Sequence, residues 1–354
     1  MRERTVAEVA ALAGARLLEG DRATLAAGPI VTNDSRACRP GSIYVALPGE
    51  RADGHDFLGA AAEAGAVAAL CLQPSTADLA HLLVEDGQAA LSRLARGLVA
   101  EAKRDGLVCV GITGSSGKTS TKDLIAQVLE ASGPTISPPG SFNNEIGVPL
   151  TACRVEAETR YLVAEMGARG LGHIAWLCQV VPPDVGVVLN VGHAHAGEFG
   201  SLAATALAKG ELVEAVVPGG WAVLNAADPL VRAMATRTSA RIASFAPTHE
   251  PEFGDLRVWA EQPNPDHLQR YSFELRAEGA SSGSAPVTLR VPGSFQLSNA
   301  LAAAAVGLAA GMEIAMVASA LSGAEARSRW RMEVTERPDG IVVVNDSYNA
   351  NPDS

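Results

Sequence analysis

Gly111-Ile112-Thr113-Gly114-Ser115-Ser116-Gly117-Lys118-Thr119-Ser120 is the stretch that decides how this chain is read. It follows the apolar run Leu107–Ile112. It opens the helical pattern Thr119–Ala131, which carries Leu124, Ile125, Val128 and Leu129 on one face. A Gly-rich turn between a strand and a helix points successive amides at an anion, and the helix N-terminus adds positive potential. Gly114 and Gly117 let the backbone approach a phosphate closely, Lys118 can reach the outer phosphates, and the Thr119 hydroxyl can ligate magnesium. Thr113, Ser115, Ser116 and Ser120 complete the cradle. Ile112 stands where the strict G-x-x-x-x-G-K-[ST] spacing has its first glycine, so the loop departs from the pattern at one position. The expectation is an ATP-phosphate site served by Mg2+.

Outward from the loop, apolar runs recur at Tyr161–Ala164, Val185–Leu189 and Ala222–Leu224, each separated by a helix-length segment. This alternation predicts an α/β fold with a parallel sheet covered on both faces. Between Asp255 and Val291 the pattern changes to short strands around a Gly/Ser-rich turn, an antiparallel excursion, before the Ala/Leu-rich helix Leu297–Gly311. Upstream, Thr5–Ala13 reads as a helix capped by Thr5, Ser42–Leu47 and Ala66–Cys71 as strands, and Phe57–Gly65 and Gln88–Arg104 as helices. Three domains are predicted: a small α/β domain over 1–106, a central domain over 107–331, and the opening of a third over 332–354. Gly340–Asn345 reads as a first strand broken off nine residues later, as in a truncated Rossmann-like domain. The alternative is a strand added to an edge of the preceding sheet.

Composition narrows the function classes. At 354 residues and 47% hydrophobic, the chain is long enough for more than one core. A formal net charge of −11 argues against a nucleic-acid partner. The five cysteines are scattered and lack C-x-x-C spacing, so neither a disulfide framework nor a zinc site is expected. Neither a signal-peptide pattern nor a membrane-spanning apolar run is visible, and the expectation is a cytoplasmic monomer without membrane contact.

Beyond the loop, Glu165 ends the Tyr161–Ala164 run, at the carboxyl edge where open α/β sheets gather ligands. By itself it reads equally as a strand-end surface charge. The next strand runs into Asn190-Val-Gly-His193-Ala-His195, where an imidazole could complete a magnesium shell or orient phosphate. Lys209, in Ala206-Leu-Ala-Lys-Gly-Glu211, reads as a solvated helix lysine. The loop Ser141-Phe-Asn143-Asn144 offers two amides that suit a sugar or peptide, or simply cap a turn.

These pieces in this order resemble the Mur ligases, the ATP-dependent amide-forming ligases of peptidoglycan synthesis, over nearly the whole chain. Thr32-Asn-Asp-Ser35-Arg36, Pro40–Leu47 and Gly49–Phe57 are similar to the family's UDP-binding domain. Ser141–Thr151, Glu165–Gly170, Asn190–Ser201 and Asn345–Pro352 resemble the member that takes UDP-N-acetylmuramoyl-tripeptide and D-Ala-D-Ala. The Asn-Thr-Thr loop and Asp-Asn-Pro-Arg motif of the diaminopimelate- or lysine-adding relative are not found. The resemblance implies that Lys118 and Thr119 serve ATP and magnesium, with Glu165 and His195 as further metal ligands. It implies that Lys209 becomes carbamylated and helps hold a second magnesium. It assigns Asn299 to adenine, Arg331 (with Arg329 as a competitor, since Trp330 replaces a family glycine) and Asp346 to ATP, Asn33, Ser35, Arg36 and Arg51 to the uridine region, and Asn143 and Asn144 to the muramoyl region. Two alternatives stay open: a related ligase such as a folylpolyglutamate synthase, and a fragment that binds without turnover.

Overall fold

The computed structural model describes residues 1–192 and 201–349. Its contacts gather the chain into two units, one of Met1–Leu107 with Asn143–Thr159 and Gln179–Val181, the other of Val108–Phe142, Arg160–Cys178 and Pro182–Ser354.

In the first unit five strands lie in the order Arg16–Leu17, Ala80–Leu83, Ala66–Cys71, Ser42–Val45, Val31–Thr32. All neighbours are parallel except the short first strand. The helix Val6–Ala13 starts as its sequence predicts: the Thr5 hydroxyl accepts the Glu8 amide, and the Glu8 carboxylate reaches back to the Thr5 amide. This reciprocal cap satisfies two amides that a helix start otherwise leaves open. Asp86 caps the long helix Gly87–Arg104, which buries Leu91, Leu94 and Leu98 at helical spacing.

The second unit is built on nine strands, ordered Gly283–Thr288, Tyr271–Gly279, Leu256–Pro265, Arg241–Ala246, Trp221–Asn225, Val185–Val188, Val108–Thr113, Tyr161–Glu165, Thr135–Ile136. From Leu256–Pro265 to Thr135–Ile136 every pair is parallel. The central strands read as continuous apolar runs because both faces are covered, and all five residues of Tyr161–Glu165 are buried. The antiparallel excursion expected after Asp255 is present, at one edge of the sheet. Its strands extend the same sheet, since Leu256 pairs beside Ala243 in parallel and the next two strands fold back on it.

Two glycines bring a helix against the sheet. Gly111 and Gly186 are register partners on adjacent strands. A Cβ on Gly111 would lie 2.9 Å from Leu212 Cδ1, and one on Gly186 would lie 2.8 Å from Val216 Cγ2. The bare backbone there seats Leu212, and with it the helix Leu202–Glu214. On the opposite side the Ala-rich helix Phe295–Ala309 buries Ala300 and Ala302 to Ala305 completely, small side chains that let it pack close.

The strand Val342–Asn345 does not join an edge of the large sheet. It pairs antiparallel with Glu333–Glu336 in its own hairpin. Among the described residues no helix is long and apolar enough to cross a membrane.

Candidate active site

The chain leaves Val108–Thr113 towards one side of the sheet and leaves the adjacent Val185–Val188 towards the other. Ligand sites in open α/β sheets form in the crevice at such a switch, outside the carboxyl ends of the strands. The Gly-rich loop and the segment Leu189–Gly192 are the two lips of this crevice, and hydrogen bonds join them. The Ser115 amide donates to the Asn190 carbonyl at 3.1 Å. Asn190 Oδ1 accepts the Ser116 amide at 2.9 Å, and its Nδ2 donates to the Ser116 carbonyl at 3.2 Å. Ser115 Oγ accepts the Gly192 amide at 2.8 Å. The second lip is held in turn from the next strand. Asn225 Nδ2 donates to the Leu189 carbonyl and Asp228 Oδ2 accepts the Val191 amide, both at 2.8 Å.

Gly117 adopts φ +79° at the cap of the helix Lys118–Glu130, and a Cβ there would lie 2.9 Å from Asn299 Oδ1. Glycine is required on both counts. The Thr113 hydroxyl is buried with no hydrogen-bond partner among the described residues. Leaving such a group unsatisfied costs about 1–3 kcal/mol, so its place at the mouth of the loop favours a polar ligand there.

Three ionisable groups converge on this edge. Lys118 is half-buried, and its Nζ donates to the Gly114 carbonyl at 2.7 Å. Burial lowers its pKa, Glu165 nearby opposes the shift, and Arg331 adds to it. Glu165 is fully buried and accepts the Ser141 hydroxyl at 2.9 Å on Oε1, so it is not a strand-end surface charge. Lys209 is not the solvated lysine its local sequence predicts. It is 4% exposed, and burial, then the neighbouring Lys118 charge, lowers its pKa to about 7. The signal was in the spacing: Thr205, Ala208, Lys209 and Leu212 fall at i, i+3, i+4 and i+7, and all four are buried.

Thr119 is 2% exposed in the first turn of the same helix. Thr119 and Glu165 offer the hard oxygen donors that suit Mg2+, whereas Lys209 as an amine does not. His195 lies outside the described residues, and among those described no group of three His, Cys, Asp or Glu gathers into a metal cluster.

Beside the loop, Ser116, Gly117, Ser120, Asn190, Phe295, Ser298, Asn299, Arg331 and Asp346 line one cavity of about 190 Å³. Asn299 and Arg331, more than thirty residues apart in sequence, thus meet at the loop. Asn299 Nδ2 donates to Gln296 Oε1 at 2.9 Å. The Arg331 guanidinium stacks 4.0 Å over the Tyr348 ring, and Asp346 Oδ1 accepts the Met332 amide.

In the first unit, Asn33, Ser35 and Arg36 share one turn. Arg36 is tied to Asp34 through Nε at 2.9 Å and Nη2 at 2.8 Å. Asn33 and Arg51 are exposed. Asn143 and Asn144 also belong to this unit, and Asn144 Oδ1 accepts the Ile146 and Gly147 amides at the start of a short helix. Asn190, Asn225 and Asp228 are the site residues that sequence reasoning gave no role, because a polar residue at a strand end carries no local mark of what it braces.

The family profile described as Mur ligase middle domain matches residues 112–307, and that described as Mur ligase family, catalytic domain, matches residues 29–98. The UDP-N-acetylmuramoyl-tripeptide–D-alanyl-D-alanine ligase of Mycobacterium tuberculosis is 46% identical over 100% of this chain and 72% of its own length. The Escherichia coli ligase of the same name is 35% identical over 94% of the chain and 71% of its own length. Among solved structures, MurF of Acinetobacter baumannii superposes with TM-score 0.87 at 29% identity, covering 100% of this chain and 75% of that one. The Thermotoga maritima MurF ligase in complex with ADP gives TM-score 0.75 at 31% identity, over 92% and 72% of the two chains. Strand order, crevice, loop and a likeness along the whole of this chain agree, and the chain belongs to the Mur ligase family.

Proposed function

We propose that this chain is an ATP-dependent ligase that joins UDP-N-acetylmuramoyl-tripeptide to D-Ala-D-Ala. What carries this reading is that Lys118, Glu165 and Lys209 converge at the phosphate-loop edge of a chain 46% identical, along its whole length, to a ligase of that name. The likeness favours this ligase over a folylpolyglutamate synthase and over a protein that only binds.

A terminal carboxylate oxygen of the tripeptide attacks the γ-phosphorus of ATP. The bond from that phosphorus to the bridging oxygen breaks, and ADP leaves. The amine nitrogen of D-Ala-D-Ala then adds to the acyl phosphate carbonyl, and collapse of the tetrahedral adduct expels phosphate as the nitrogen loses its proton. Such transfer asks the protein for position and charge neutralisation rather than for a covalent nucleophile. Lys118 can exchange its bond to the Gly114 carbonyl for the outer phosphates, while the loop amides hold them from below. Asn299, Arg331 and Asp346 line the cavity that takes the rest of the nucleotide.

Thr119, Glu165, His195 and a carbamylated Lys209 are the residues that would hold magnesium, which when bound neutralises phosphate charge and polarises the γ-phosphoryl group. A pKa of about 7 leaves much of Lys209 as free amine at neutral pH, the form that adds CO2 to give a carbamate and a proton. The carbamate would turn a nitrogen that suits magnesium poorly into an oxygen donor. Asn33, Ser35, Arg36 and Arg51 are proposed to take the uridine end of the substrate, and Asn143 and Asn144 the muramoyl end. A monomer working in the cytoplasm, where these soluble precursors are made, fits this function, and the domain division at 106 and 331 is retained as part of the proposal.

The test is product formation. ATP, UDP-N-acetylmuramoyl-tripeptide and D-Ala-D-Ala together should give a species heavier than the tripeptide by D-Ala-D-Ala less one water. Glutamate with a folate should give none. Nucleotide binding without any product would overturn the reading.

A further inference from the structure

Lys122 lies one turn beyond Lys118 on the helix that the phosphate loop opens, and its side chain is 1% exposed. Its Nζ donates to the Pro138 carbonyl at 2.8 Å and the Gly140 carbonyl at 3.1 Å, and sits 2.6 Å from Asp123 Oδ1. Three acceptors meet the three donors of the ammonium, which is how a buried charge is tolerated. Replacing a buried pair by apolar residues often leaves stability unchanged or raises it, so stability alone gives this pair little reason to exist.

Its attachments supply a reason. The carbonyls that Lys122 holds belong to an irregular stretch that leads directly into Ser141, and the Ser141 hydroxyl donates to Glu165 Oε1 at 2.9 Å. A Glu carboxylate turns broadly about its last torsion unless a neighbour fixes it. On the other side, Asp123 Oδ2 accepts the Ser328 amide at 3.0 Å, and the same helix face continues with Gln127 bonded to the Glu325 backbone and Glu130 paired with Arg327. One helix therefore carries the phosphate loop at its start, anchors the strap that orients Glu165, and anchors the segment that leads to Arg331.

Resting on the ligase function proposed above, we propose that Lys122 is a positioning residue for Glu165: it fixes the Pro138–Gly140 carbonyls from inside the fold, and through Ser141 it sets the carboxylate in the orientation that receives the metal. Lys122 touches neither substrate nor metal. Its contribution is transmitted through this strap, so removing either end should weaken the metal site in the same way.

The probe is Mn2+, titrated by electron paramagnetic resonance into the full chain with ATP present, alongside ATP binding in EDTA and a thermal melt. Lys122→Met and Ser141→Ala are each expected to weaken Mn2+ affinity about ten-fold or more, as loss of partners behind a metal ligand does elsewhere. ATP binding in EDTA should be unchanged, and the double variant should be no weaker for Mn2+ than the worse single one. Folded variants with parental Mn2+ affinity, or penalties that multiply in the double variant, would overturn the proposal. If Lys122→Met does not fold, Lys122→Gln takes its place in the same comparison. Failure of the parent chain itself to bind Mn2+ with ATP would sink the ligase reading and this proposal with it, whereas parental binding with unaffected variants sinks only this one.

Discussion

Asn190 holds Ser116 with both ends of its amide, accepting the Ser116 N–H at 2.9 Å and donating to the Ser116 carbonyl at 3.2 Å. This pair ties the phosphate loop across the topological switch to the end of the neighbouring strand. The loop's shape is therefore set from outside as well as by its own glycines. A phosphate cradle works when its shape is set before the ligand arrives, and this brace, which takes the Ser115 and Ser116 amides itself, fixes the loop around the amides that remain.

Asn190→Ala removes both bonds and leaves the Ser116 amide and carbonyl to find other partners. Nucleotide affinity should fall by about 1–2 kcal/mol, roughly ten-fold in Kd. Calorimetric titration with ADP measures this directly, and unchanged affinity in a folded variant would show that the loop needs no brace.

Lys209 should give the protein a distinctive pH dependence. Its pKa in the fold is about 7, against an ordinary value near 10.5. Below pH 7 it is protonated in both folded and unfolded chains, and the full penalty of its buried charge is present. Between about 7 and 10.5 the unfolded chain holds the proton and the folded chain does not, so stability rises with pH across that window. Lys209→Met should therefore stabilise the metal-free protein most at pH 7 and below, with the difference fading towards pH 10. Denaturant melts across this range decide it, and a difference independent of pH would contradict the assignment. In the enzyme assay the acid limb should fall as pH drops through about 7, since the protonated amine cannot add CO2.

Gly111 tests how the fold delivers Lys209. Gly111→Ala would set a Cβ 2.9 Å from Leu212 Cδ1, one turn along the helix from Lys209. Overpacking of this kind costs about 1–3 kcal/mol. The double variant with Leu212→Val should recover most of the lost stability in urea denaturation. Additive losses would mean that the two positions do not share the seat.

The phosphate loop was legible because backbone geometry demands glycine at particular positions, and Lys118-Thr119 follows at fixed spacing. The parallel core was legible because strands buried on both faces must be apolar throughout. Lys209 and Lys122 were marked only by the helical spacing of the buried stripes they fall on, and nothing local told the tertiary surroundings that set their chemistry. Arg241–Ala246 and Thr135–Ile136 carry little strand signal, the first because it opens on a charged residue and the second because two residues carry no period. The sequence after Asp255 changes pattern, yet nothing local in it tells that its first strand pairs in parallel with Arg241–Ala246 and so continues the same sheet.

The central claim is that a peptide carboxylate is activated on this loop by phosphoryl transfer from ATP. Labelling the tripeptide's reacting carboxylate with oxygen-18 and analysing the released phosphate by mass spectrometry tests it directly. If the carboxylate attacks the γ-phosphorus and the amine later expels phosphate, each phosphate carries one labelled oxygen and the product amide keeps the other. Unlabelled phosphate, formed whether or not D-Ala-D-Ala is present, would mean that water and not the carboxylate takes the phosphoryl group, and would contradict the account.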